Sequence, residues 1–427
     1  MTDFNIHRRQ WIKTSLGLGL SPALLSACAT MHHSKASAGR VVVIGGGYAG
    51  LAAAKYIRMW SAGSIEVVLI ERNRQFVSCP LSNLVLGGSK TINDLTFGYD
   101  LTEKNHGIRF VYDEVVTIDH SNKTVNMRRG EVGYDRLVIA PGIDFDYISM
   151  PNLASADVQK SIPHAWKAGW QTVNLRKQLE AMPDGGIFAI SIPKAPYRCP
   201  PGPYERICQV ASYFKTHKPK SKIIVLDANP EIISKKGLFN KVFNETYAGI
   251  VDYRPNNAPV SVDIANKTIT TEFEQVKADV LNVIPPQRAG RPAQLAKVDN
   301  VENRWCEVDF LTYESKVAPN VHVIGDAIDS GLPKSAHMAT NQAKVCASAI
   351  VELMHHRTPD PSPVFANTCY SFVDAKQAMH VAHVYRYNPN TKIMVPAEGG
   401  GVSTKPSVEE GTFANTWATN IWSDILT

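Results

Sequence analysis

A glycine-rich loop, one acid and seven cysteines hold most of the chemistry that this chain can do. Gly45, Gly47 and Gly50 fall in the order G-x-G-x-x-G. At that spacing the first glycine makes a tight turn, the second lets backbone approach a pyrophosphate, and the third lets a helix pack close to a strand. The helix start then offers free N–H groups and a positive dipole end to phosphates. Glu71 lies 21 positions past Gly50, the spacing of a carboxylate that takes ribose hydroxyls. The cysteines are Cys28, Cys79, Cys199, Cys208, Cys306, Cys346 and Cys369. Their number alone does not say which of them pair.

The glycine loop needs a strand before it and a helix after it, and the sequence provides both. Arg40–Ile44 is a β-branched run of the kind buried in a parallel sheet, and 51–60 has helical composition. Ile65–Ile70 is a second strand, ending at Glu71. Strand, loop, helix, strand and acid together are a strong dinucleotide signature, where a lone glycine loop is weak.

Two further segments narrow the ligand. Tyr134–Gly142 reads as a strand ending in a tight turn, and Val321–Ala327 as a strand ending in Gly325-Asp326. Both resemble the segments that close on FAD in two-dinucleotide-domain flavoproteins, where the aspartate holds the ribityl chain. Alone, Asp326 reads as an ordinary helix N-cap.

In that class a second Rossmann unit binds NAD(P)H. Here the corresponding strand, 187–192, runs into five prolines over 193–203, with Arg198 and Cys199 among them. Proline offers no N–H and fixes φ, so this loop is rigid and poor in phosphate donors. No NAD is expected there, and the electrons need another source.

The segment from Arg198 to Arg206, R-C-P-P-G-P-Y-E-R, resembles the flavoprotein subunit of flavocytochrome c sulfide dehydrogenase. So do 164–169, 284–290, 323–327 and 367–371, and the likeness runs from about Arg40 to the C-terminus. It implies that Cys199 and Cys369 form a redox disulfide beside the flavin, and that Cys79 sits where some members attach FAD covalently. Pro80 departs from the tyrosine expected in the covalent type. It further implies sulfide as substrate and a separate c-type cytochrome as partner. The chain has no Cys-x-x-Cys-His, so it carries no covalent haem of its own.

The chemistry stands independently of the likeness. Hydrosulfide attack on a disulfide leaves a persulfide and a thiolate. Glu205 could shuttle a proton and Lys334 could lower the thiolate pKa by its charge, against the plain alternative of two surface ions. The plain alternative for Cys199 and Cys369 is a static staple. Cys208, Cys306 and Cys346 read as small core residues, and Tyr48, Trp417 and Trp422 as packing.

The chain's 427 residues suit two or three domains. The expected fold is α/β: two Rossmann-like dinucleotide-binding-type domains, glutathione reductase-like, with a C-terminal α+β interface domain. The expected limits are 39–160 with 291–355 for the FAD domain, 161–290 for the second, and 356–427 for the third. Residues 1–38 read as a twin-arginine signal segment, with Arg8-Arg9 ahead of an apolar run over 16–25. Export to the periplasm follows, by cleavage at Ala36-Ser37-Ala38 or lipidation of Cys28.

Arg8, Arg9, Lys13 and Lys35 against Asp3 account for +3 of the net charge of +6. What remains is near neutral and gives no reason to expect nucleic acid. No run is long enough to span a membrane, and 409–427 makes a poor amphipathic anchor. That weakens the nearest competing reading, a sulfide:quinone oxidoreductase-like enzyme. A non-catalytic exported flavin-binding or redox-sensing protein is the reading from another class.

Overall fold

The computed structural model describes residues 38–427, so the twin-arginine pattern, the apolar run after it and Cys28 lie outside the described residues. Strand β1 (Arg40–Ile44) leads through the glycine loop into helix α1 (Tyr48–Trp60), then β2 (Glu66–Ile70), β3 (Arg109–Val111) and β4 (Arg136–Ile139). Val41, Val42 and Val43 are fully buried, as expected for a parallel strand covered on both faces.

A second parallel sheet follows. It holds β5 (Ile187–Ile192), β6 (Lys222–Asp227), β7 (Val251–Arg254) and β8 (Val280–Val283), in the order β7-β6-β5-β8. The proline-rich loop leaves β5 and feeds helix α2 (Gly202–His217), whose Ile207, Cys208 and Phe214 are fully buried in this half of the core. Burial of each such apolar side chain is worth about 1.5–3 kcal/mol.

The chain then returns to the first sheet. Strand β9 (Val321–Val323) pairs in parallel with β4 and completes the order β9-β4-β1-β2-β3. This places Gly325-Asp326 next to the glycine loop. Helix α3 (Ala336–Met354) packs against α1 and buries Cys346.

The last part is an antiparallel sheet of β10 (Val364–Phe372), β11 (Ala378–Asn388) and β12 (Ile393–Val402), closed by helix α4 (Val408–Leu426). The C-terminal end of α4 is held by the first sheet's helices. Lys55 Nζ donates to the Asp424 carbonyl oxygen at 2.7 Å, Tyr56 OH to Asp424 Oδ1 at 2.6 Å, and Lys344 pairs with Asp424 Oδ2 at 2.9 Å. Among the described residues no helix is long and apolar enough to cross a membrane.

Candidate active site

One cavity of about 890 Å³ runs between the three sheets. Gly45, Gly47, Glu71, Cys79, Asp326, Cys199, Glu205, Cys369 and Trp417 all line it. Trp417, which reads in the sequence as plain packing, belongs to this wall.

At the dinucleotide end the three glycines act differently. Gly45 has φ +105°, and a Cβ there would stand 2.3 Å from the Ala140 carbonyl oxygen. A Cβ on Gly50 would stand 1.8 Å from the Gly45 carbonyl oxygen, so only glycine allows helix and loop this close. Gly47, at the N-cap of α1, has nothing within 4 Å of its Cβ direction, which leaves space for a ligand. Glu71 Oε2 accepts from Gly46 N–H at 2.7 Å and its Oε1 from Asn73 N–H at 2.8 Å, fixing the carboxylate beside the loop.

Asp326 gives the test of whether a cofactor fits here. Its Oδ1 is buried and finds no hydrogen-bond partner among the described residues. Burial pushes its carboxyl up from the usual range, while Arg198 and Lys334 pull it down. Asp326 as a residue is half-buried and lines the cavity, and a carboxylate with an unpaired oxygen there suits a ligand hydroxyl. Together with the space above Gly47, it makes the cavity a fit for FAD.

The proline-rich loop brings Arg198 and Cys199 to the middle of the same cavity. Cys199 is left-handed, with φ +57°, a strained conformation for a non-glycine residue. Its N–H donates to the Lys334 carbonyl oxygen at 2.7 Å, and its own carbonyl accepts from Gly202 N–H at 2.8 Å. Burial opposes the Arg198 charge, but Cys79, Asp326 and Cys199 around it hold its pKa above the ordinary arginine value.

Cys369 arrives from β10, and each residue beside it is fixed. Ser335 Oγ donates to Asn367 Oδ1 at 2.7 Å, and Asn367 Nδ2 lies 3.4 Å from Cys369 Sγ. Thr368 N–H donates to His337 Nδ1 at 3.0 Å, and Lys235 Nζ to the Cys369 carbonyl oxygen at 3.0 Å. Helix α2 is tied to this strand by Glu205, whose Oε1 accepts from Phe372 N–H at 2.8 Å and Oε2 from Asn83 Nδ2 at 2.7 Å. One turn on, Gln209 Nε2 donates to the Asp374 carbonyl oxygen at 2.9 Å.

Arg206 anchors the other side of α2. It donates to the carbonyl oxygens of His164 at 2.9 Å and Ala165 at 2.6 Å, and to Asn282 Oδ1 at 2.8 Å. The end of R-C-P-P-G-P-Y-E-R thus seats both cysteine-bearing elements.

The six cysteines among the described residues are unbridged. Burial pushes the Cys199 thiol well up, Glu205 and Cys369 add to the rise, and Arg198 and Lys235 oppose it. Burial likewise raises Glu205.

Lys334 is placed differently from the expectation of a cation beside the thiols. Its Nζ donates to the carbonyl oxygens of Asp326 at 2.9 Å and Ile328 at 2.6 Å, and lies 3.8 Å from the Trp305 ring centre. Burial pushes it down to about 8. The lysine whose charge faces Cys199 and Cys369 is Lys235, which nothing in the sequence singles out. Among the described residues no cluster of His, Cys, Asp and Glu is arranged to hold a metal ion.

The fold and the cavity define a flavoprotein of the pyridine nucleotide-disulphide oxidoreductase class, and residues 39–171 match that family's description. Residues 172–285 match the sulfide dehydrogenase (flavocytochrome c) flavoprotein chain, central, and 361–426 the flavocytochrome c sulphide dehydrogenase, flavin-binding region. The sulfide dehydrogenase (flavocytochrome c) flavoprotein chain of Chlorobaculum thiosulfatiphilum is 52% identical over 46 residues, which are 11% of this chain and 94% of that one. The chain therefore belongs to the flavocytochrome c sulfide dehydrogenase flavoprotein family. The mitochondrial sulfide:quinone oxidoreductase of Mus musculus is 24% identical over 340 residues, 75% of this chain and 72% of that protein. The solved sulfide:quinone oxidoreductase of Aquifex aeolicus shares the fold, with a TM-score of 0.72 at 19% identity, covering 90% of this chain and 91% of that one.

Proposed function

We propose that this protein oxidises sulfide at the Cys199–Cys369 pair, with FAD in the cavity, and delivers the electrons to a separate c-type cytochrome. The observation that carries the reading is that two cysteines remote in sequence line the same cavity as the dinucleotide loop. Family membership supports sulfide as the substrate and FAD as the cofactor. Bound FAD supplies an acceptor that takes two electrons together and releases them singly.

The chain's own residues have distinct tasks. With FAD bound, the glycine loop and the start of α1 would hold the pyrophosphate, Glu71 a ribose hydroxyl, and Asp326 the ribityl chain. Cys79, on the cavity wall, would be the point of any covalent attachment. In the oxidised pair, hydrosulfide attacks one sulfur. The cysteine–cysteine S–S bond breaks, a new S–S bond forms to the incoming sulfur, and the negative charge passes to the released thiolate. Glu205, bound to the strand of Cys369 and raised by burial, takes the persulfide proton. The proline-rich loop carries Arg198 and Cys199 where a nicotinamide-binding turn would stand, which supports sulfide rather than NAD(P)H as the electron source. The twin-arginine pattern supports export to the periplasm.

Anaerobic titration with sulfide, followed by flavin absorbance, tests the core of this reading. Wild type bleaches, whereas Cys199→Ser and Cys369→Ser keep their FAD and fail to bleach. Bleaching of both variants at the wild-type rate reduces the pair to a staple and removes the mechanism. The sulfide:quinone oxidoreductase relatives favour a quinone as the second candidate acceptor. Reoxidation of the bleached protein by cytochrome c, and not by a soluble quinone, separates the two.

A further inference from the structure

Lys235 stands where an ordinary lysine does not. It is only 8% exposed, and its φ of +53° is left-handed. Burying an ammonium costs several kcal/mol, and left-handed backbone at a non-glycine residue adds strain. One of its three N–H bonds goes to the Cys369 carbonyl oxygen at 3.0 Å. No carboxylate forms an ion pair with it among the described residues. Asparagine could satisfy one carbonyl, tolerate left-handed backbone and bury no charge.

The groups able to carry negative charge that face Lys235 say what the ammonium is for. They are Cys369 on β10, Glu205 on α2, Cys199 on the loop before α2, and Glu410 on α4. Burial pushes Lys235 down and Glu205 up, so desolvation outweighs their mutual attraction. The ammonium gains most when a further negative charge is created next to it. Lys235 does not line the cavity that Cys199 and Cys369 share.

We propose that Lys235 is a positioning and charge-stabilising residue of the sulfide reaction, which fixes Cys369 through its carbonyl and neutralises the thiolate released at the cysteine pair. This rests on the sulfide reading above. When hydrosulfide opens the disulfide, its negative charge passes to a cysteine sulfur, and Lys235 is the buried lysine that faces that sulfur.

The test compares wild type with Lys235→Asn, which keeps the backbone and removes the charge, and with Lys235→Arg, which keeps the charge. The reduced proteins are alkylated with iodoacetamide over a pH series, and the Cys199 and Cys369 peptides are read by mass spectrometry. Lys235→Asn raises the midpoint of alkylation by about one pH unit and slows sulfide bleaching about tenfold, one unit being a factor of ten in thiolate. Lys235→Arg returns both toward wild type, with FAD content and circular dichroism unchanged. An unmoved midpoint in Lys235→Asn overturns the proposal, as does an arginine variant as impaired as the asparagine one. If wild type itself is not bleached by sulfide while its alkylation midpoint still follows residue 235, the sulfide reading fails and the assignment of the cation stands.

Discussion

Glu205 accepts two hydrogen bonds in a buried position, and its carboxyl is nevertheless raised from its ordinary value of 4.5. Burial is the larger effect, and the N–H donors of Phe372 and Asn83 offset only part of it. A raised acid binds its proton more firmly in the folded than in the unfolded chain, so folded stability declines as pH rises from 4.5 through the raised value. Glu205→Gln removes that slope and keeps an acceptor for the Phe372 N–H. Urea unfolding of both proteins across pH 4–8 should show wild type losing stability relative to the variant as pH rises. Parallel curves would place Glu205 outside the titrating groups. The same substitution slows sulfide bleaching if the carboxylate moves the persulfide proton.

At the scale of elements, the β1–loop–α1 unit is the least forgiving. A methyl group on Gly50 meets the Gly45 carbonyl oxygen at 1.8 Å, and that atom is backbone rather than the end of a flexible side chain. Gly50→Ala should lower stability by about 3 kcal/mol or more and strip the protein of FAD, as read by thermal unfolding and flavin content. This unit was legible in the sequence because its demands are local: three glycines, a strand, a helix and an acid at fixed spacing. That Cys199 and Cys369 line one cavity was legible only through resemblance, since nothing in the spacing of a loop and a distant strand dictates that they share it. Lys235 was not legible at all. It sits in Ser234-Lys235-Lys236-Gly237, which reads as surface, and its burial with a bond to the Cys369 carbonyl comes from the tertiary fold. Lys334 misled for the opposite reason. Its place next to Ser335 and the start of α3 is near the cysteines, but its ammonium turns to the carbonyls of Asp326 and Ile328.

At the scale of the whole molecule, α4 is the clamp that closes the cavity. Trp422 Nε1 donates to Tyr48 OH at 3.0 Å and lies 3.1 Å from Ser78 Oγ, so the last helix reaches the residue just inside the glycine loop and the one before Cys79. Trp422→Phe leaves Tyr48 and Ser78 bonded to each other and should cost about 1–2 kcal/mol. Denaturant unfolding with an unchanged m-value checks this, and a changed m-value would mean that the helix has come away. The return of β9 to the first sheet has a consequence for the order of synthesis. While the ribosome is still making the central sheet, β4 has an open edge and Asp326 does not yet exist. Cys369 is made later still. A chain stopped before β9 carries the glycine loop and the Cys199 thiol, but neither Asp326 nor Cys369, the two residues that the proposed function needs beside them. On the proposed function, half-made protein is therefore silent toward sulfide until Cys369 has been added.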